Sequence, residues 1–110
     1  MEKATFMGVS YKRPVTRLLP KDSSVIDEYT KDGFEIQKDN GNSVVLEKPS
    51  RVWVTLQSPK CGVKKFNIVK DICRYYKKEK ITLDMVIDFY EDVQAGRITF
   101  KMSSDSYSFE

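Results

Sequence analysis

Two runs of charge hold most of the binding chemistry in this sequence. Lys64, Lys70, Arg74, Lys77 and Lys78 recur at intervals that, at about 100° per residue, gather on one side of a helix. Ammonium and guanidinium groups so arranged form a cationic ridge suited to phosphates or carboxylates. Asp84, Asp88, Glu91 and Asp92 follow at i,i+3 and i,i+4 spacings, which on a second helix form an acidic ridge. Such a ridge suits a basic partner and, more weakly, a hard cation such as Mg²⁺. Segment 60–81 sets eight cations against Asp71 and Glu79, a net +6, whereas segment 82–95 carries only the four acids, a net −4. The whole chain is +3, so the charge is segregated rather than large.

Nucleophilic and metal chemistry is poorly served. Histidine is absent, which removes the commonest general base, the Ser-His and Cys-His pairs and most zinc sites. Cys61 and Cys73 are too few for a zinc site or a disulfide framework. Cys73 reads as a small buried thiol on an apolar helix face. Cys61 precedes the basic helix, where lysines and a helix N-terminus lower a thiol pKa, but no base completes a nucleophilic pair. The five glycines are scattered at turns and caps and make no phosphate loop. The expectation is a protein without enzymatic activity, cofactor or metal.

The ridges require two helices. Over 64–80, Phe66, Val69, Ile72, Cys73 and Tyr76 face inward, with Ile68 and Tyr75 at the edge of the apolar stripe. Over 82–95, Thr82 is the N-cap, Gly96 the left-handed residue past the end, and Leu83, Val86, Ile87, Phe89, Tyr90 and Val93 the apolar face.

Upstream, 4–11 alternates as a strand, Pro14 interrupts it, and 15–19 reads as a second short strand. Ser24 to Asp32 forms a short helix over 24–32, closed by Gly33. Residues 34–57 then read as a three-stranded antiparallel meander. Asn40-Gly41 suits a type I′ turn in it, and Trp53 and Thr55 point opposite to Val52, Val54 and Leu56. Residues 97–101 alternate as a C-terminal strand joining the sheet edge, beside the N-terminal strand.

The expected fold is therefore α+β, a single domain over 1–101. Its mostly antiparallel sheet carries the two long helices on one face, and 102–110 is a polar tail, frayed or used for docking. No apolar run reaches the ~18–20 residues of a membrane span, and the first residues lack a signal-peptide core, so no membrane role and a cytoplasmic location are expected. Lysine outnumbers arginine and alanine is scarce, the usage of an AT-rich coding sequence such as mobile elements carry.

Two binding functions follow. The first is a small regulator or inhibitor that engages a protein partner, or a second copy of itself as a homodimer, through the charged helix faces. The second is a nucleic-acid-binding module that contacts phosphates through helix 64–80. Tyr11, Lys12, Arg13, Arg17 and Tyr75 would be its secondary contacts. A helix-turn-helix is excluded, because its recognition helix would carry the four acids into the groove.

Overall fold

The computed structural model describes Met1–Glu110. In chain order its elements are β1 (Glu2–Lys12), β2 (Val15–Pro20), α1 (Ile26–Lys31), β3 (Glu35–Asp39), β4 (Ser43–Lys48), β5 (Arg51–Ser58), β6 (Gly62–Asn67), α2 (Val69–Tyr76), α3 (Leu83–Gln94), β7 (Phe100–Met102) and β8 (Tyr107–Phe109). They form two compact units, one of Met1–Lys12 with Arg51–Glu110 and the other of Arg13–Ser50. The α+β character expected from the sequence is present, with antiparallel pairing throughout.

The larger unit is built on a five-stranded sheet in the order β6-β5-β1-β7-β8. β5 is its most apolar strand and alternates strictly: Val52, Val54 and Leu56 are fully buried, while Arg51, Trp53 and Thr55 face the other way and are half-buried. The buried side joins Ile68 and Ile72 with Met85, Val86 and Phe89 of α3 and with Ile98, Phe100 and Met102 in one cluster. Both α2 and α3 thus bury part of their apolar surface against one face of the sheet, and neither of them covers the opposite face.

The smaller unit pairs β2-β4-β3 around Phe34, Val44 and Leu46, with Ile26 and Tyr29 of α1 packed against them. The expected meander over 34–57 is therefore split. Its first two strands are β3 and β4, but β5 belongs to the other sheet, where it pairs with β1 and β6. Pro49 is the first residue between β4 and β5, where a type I′ or II′ hairpin needs a positive φ that the proline ring, fixed near −65°, cannot adopt. The β3–β4 turn also differs from the expected type I′. Asn40 N–H donates to Ser43 O at 2.8 Å, and Gly41, with φ of 92°, is the first loop residue. Asn42 has a negative φ, so only one central residue is left-handed, as in type II′.

The helix expected over 64–80 is shorter than its periodicity implied. Residues 62–67 are β6, an edge strand, because the second edge of β5 lies within reach through a tight turn at Gly62 (φ 69°). The Asn67 carboxamide oxygen then accepts the Val69 N–H at 3.1 Å and starts α2, and Lys77, left-handed at φ 58° and ψ 47°, ends it. The helix α3, by contrast, lies within the expected 82–95 and has the expected caps. Thr82 Oγ1 accepts the Met85 N–H at 3.3 Å. Past the other end, Arg97 N–H reaches Asp92 O and Gly96 N–H reaches Val93 O, a Schellman closure.

The C-terminal strand falls at 100–102 rather than 97–101, and it lies inside the sheet, between β1 and β8. The expected polar tail is the source of that neighbour. Residues 107–109 are β8, with Phe109 5.6 Å from Phe100 and 5.9 Å from Phe89 between ring centroids, and Tyr107 4.9 Å from Phe66. Two aromatic residues two positions apart put both rings on the buried side of a strand, which is why this serine-rich segment docks.

Candidate functional site

The basic residues singled out by the sequence are only partly brought together. Lys70 and Arg74 lie on α2 and are exposed. Lys64 stands on β6, not on the helix, opposite Leu56, and its neighbour Lys65 points to the other side of the sheet opposite Thr55. Lys77 and Lys78 follow the helix end, where the left-handed turn takes the chain off the helical path. Arg74 is partly neutralised by Asp71 at 3.6 Å, and Asp71 also accepts the Tyr107 hydroxyl. A continuous ridge of three to four helical turns is thus replaced by two helical cations and three dispersed ones.

The secondary contacts separate in the same way. Tyr11 lies opposite Val52 and packs against the main buried cluster, so its ring is not a free stacking surface. Lys12 is exposed on β1; Arg13 and Arg17 belong to the smaller unit, where the Arg17 guanidinium donates to the Thr16 carbonyl at 3.0 Å. Tyr75 is exposed and lines a shallow recess of about 350 Å³ with Asp71, Arg74, Tyr107, Ser108 and Phe109. Cys61 is partly buried and follows β5, its N–H donating to Ser58 Oγ at 3.1 Å; with β6 intervening, it is not at a helix N-terminus.

The acidic ridge divides into one structural residue and three free ones. Asp92 is half-buried and accepts the Tyr76 hydroxyl at 2.6 Å and Arg97 Nε at 2.8 Å. These two donors, Tyr76 first, hold its carboxyl below the usual range. Burial, followed by the Asp92 hydrogen bond, raises Tyr76, and burial followed by Asp71 raises Tyr107. Because the folded pKa of Asp92 is depressed, its contribution is present above the unfolded carboxylate value near pH 4 and is lost as pH falls through the folded value. Asp92→Asn is therefore expected to lower the urea midpoint at pH 7, with the difference from the parent chain narrowing below about pH 4.

Asp84, Asp88 and Glu91 are exposed and make no ion pair. They flank a feature that the sequence assigned to the core. Leu83, Ile87 and Tyr90 recur at i, i+4 and i+7 on α3 and are 45%, 46% and 45% exposed. Met85, omitted from the expected apolar face, is buried in their place beside Val86 and Phe89. The apolar arc of α3 is wider than one packing interface, so the sheet takes one half and leaves Leu83 and Ile87 in solvent, with Tyr90 at the boundary, its ring centroid 6.1 Å from that of Phe6. Nothing local says which half is covered.

The sequence reasoning also missed a second surface, the face of the five-stranded sheet away from α2 and α3. Cross-strand register puts Lys3 opposite Lys101 and Lys12 opposite Arg51, and sets Lys65 beside Thr55 on the same side. Trp53 lies among them, with Ser10 opposite on one side and Asn67 on the other. No strand residue on this face is acidic; the nearest in-register carboxylate is Glu110, one residue past β8, whose backbone pairs with Thr99. The alternation of β5 already points Arg51 and Trp53 outward together, but β1 and β7 become their neighbours only through long-range pairing.

No group of three or more His, Cys, Asp or Glu side chains is placed to hold a metal ion, and no helix is long and apolar enough to cross a membrane. No family model, curated protein or solved structure matches the chain.

Proposed function

We propose that this chain is a small non-enzymatic binding protein, a cytoplasmic regulator or inhibitor that engages a protein partner through the outer face of α3. The observation that carries this reading is the exposed Leu83-Ile87-Tyr90 stripe flanked by Asp84, Asp88 and Glu91. Large side chains repeating on one helix face are anchors of the helix-in-groove kind, and Tyr is among the residue types that concentrate binding energy. The three carboxylates select a partner whose apolar groove is rimmed by lysine or arginine, and they speed its approach.

Charge also bears on self-association. Two copies meeting α3 to α3 would bring their acidic residues together, which costs energy at an isologous interface. A head-to-tail contact, with α3 on the Lys70 face of another copy, would not close unless its rotation did. A different protein fits better than a second copy.

The test uses the intact chain and an Ile87→Glu variant as baits in extract from the native host, with captured proteins identified by mass spectrometry. Ile87 is exposed, so the substitution is expected to leave the circular dichroism spectrum and melting midpoint nearly unchanged. Wild type is expected to retain a protein that Ile87→Glu does not, and light scattering is expected to give the monomer mass of 12.8 kDa for the free chain. Identical captures by both baits would refute the α3 reading, and a dimer mass that Ile87→Glu abolishes would replace the partner with a second copy.

A further inference from the structure

The face of the five-stranded sheet away from α2 and α3 has no part in the α3 reading and does not depend on it. Its five cations, Lys3, Lys12, Arg51, Lys65 and Lys101, make no ion pair, since the four pairs in the chain use Lys21, Lys48, Arg74 and Arg97. Four of the five are set as like-charge couples, Lys3 opposite Lys101 and Lys12 opposite Arg51. Like charges directly opposite each other destabilise an antiparallel pair, and no carboxylate on the strands of this face pairs with either couple. A polyanion lying across the sheet would offset this repulsion.

The remaining residues narrow the polyanion. Trp53 is half-buried, on the side of β5 away from α2 and α3. Beside it the surface is low: Ser10 is its cross-strand neighbour, and a Cβ built on Gly8 would meet nothing within 4 Å. These small neighbours leave room for a planar base beside Trp53. Lys3 and Lys12 bracket this space along β1, nine residues apart, or about 30 Å at ~3.3 Å per residue. An aromatic platform within a cationic track is the arrangement that binds unpaired nucleotides by stacking and phosphate contact, without reading sequence.

We infer that this sheet face binds single-stranded nucleic acid, DNA or RNA, with a base stacked on Trp53 and the backbone running between the Lys12–Arg51 and Lys3–Lys101 couples. The basic helix plays no part in this contact, which moves nucleic-acid binding from α2 to the opposite side of the unit.

Trp53 is the only tryptophan in the chain, so its fluorescence reports the site directly. The full chain is titrated with unstructured oligo-dT and oligo-U of about 15 nucleotides, within the usual span of such sites. Duplex DNA of equal length and heparin serve as comparisons. Quenching of Trp53 at about 50 mM salt is expected, with affinity falling steeply by about 200 mM and a logarithmic slope of about 0.7 per phosphate contacted. The variants Lys3→Gln with Lys101→Gln, and Lys12→Gln with Arg51→Gln, relieve like-charge contacts, so they are expected to fold at least as well as the parent. Each is expected to lower that slope by about 1.4. Trp53→Phe, followed with a labelled oligonucleotide, is expected to weaken binding while preserving the slope. Absence of quenching at low salt would overturn the inference. So would slopes unchanged in both double variants, equal or tighter binding of duplex or heparin, or loss of binding only in a Lys70→Gln/Lys78→Gln chain.

Discussion

A chain ending at Met102 is expected to lose the cooperative fold of its larger unit. The deleted segment contains β8, which closes one edge of the sheet by pairing with β7. Phe109 would leave a cluster of rings that includes Phe89, Phe100 and Tyr75, and Tyr107 would leave Phe66, Asp71 and the Asn67 carbonyl. Truncating a buried aromatic costs about 3–5 kcal/mol, and half-buried rings cost less, so two rings with their hydrogen bonds amount to roughly 4 kcal/mol. Small domains hold only about 5–15 kcal/mol in total. Urea unfolding followed by far-UV circular dichroism is expected to show a broad transition at low denaturant, or none. A truncated chain with the parent midpoint would mean that β8 contributes nothing and that 102–110 is a frayed tail.

Phe89→Ala carries the next largest effect. Phe89 is fully buried on α3, with ring centroids 6.3 Å from Phe6, 6.0 Å from Phe100 and 5.9 Å from Phe109. It therefore joins α3 to β1, β7 and β8 at once, and the side chains around it come from separate strands that cannot all relax into one cavity. The expected loss is about 3–5 kcal/mol, measured as a fall in the denaturant midpoint at unchanged slope. Ile87→Ala, two residues away on the exposed side, is expected to change stability by less than about 0.5 kcal/mol. Equal effects at the two positions would mean that α3 packs through the wrong face.

What the sequence made legible was local chemistry. Thr82 and Gly96 bound α3 because a hydroxyl at the N-cap and a left-handed glycine past the end act within one turn. Asp32-Gly33 ends α1 for the same reason, and the alternation of Arg51 to Leu56 reads directly as a strand, which the structure extends to Ser58. What was not legible depended on distant partners. Phe66 fits both a helical stripe and an edge strand, and the vacant side of β5 decides for the strand. The pairing of β5 with β1 joins residues 39 to 52 positions apart, and no turn residue announces it. The candidate surfaces follow the same division. The acids of α3 were readable as exposed, except Asp92, whose fate depends on Tyr76 and Arg97 folding back to meet it. The exposure of Leu83, Ile87 and Tyr90, and the gathering of Lys3, Lys12, Arg51 and Lys101, required the tertiary structure.

The most direct test of the α3 reading is isothermal titration of the captured partner against the wild-type chain, Ile87→Glu and Lys70→Gln/Lys78→Gln. A central anchor is worth about 2 kcal/mol or more, so Ile87→Glu is expected to weaken binding by about 30-fold or more, while the lysine variant stays within a few-fold of wild type. A partner that binds Ile87→Glu as tightly as wild type, or that loses its affinity only when the lysines are changed, would contradict it.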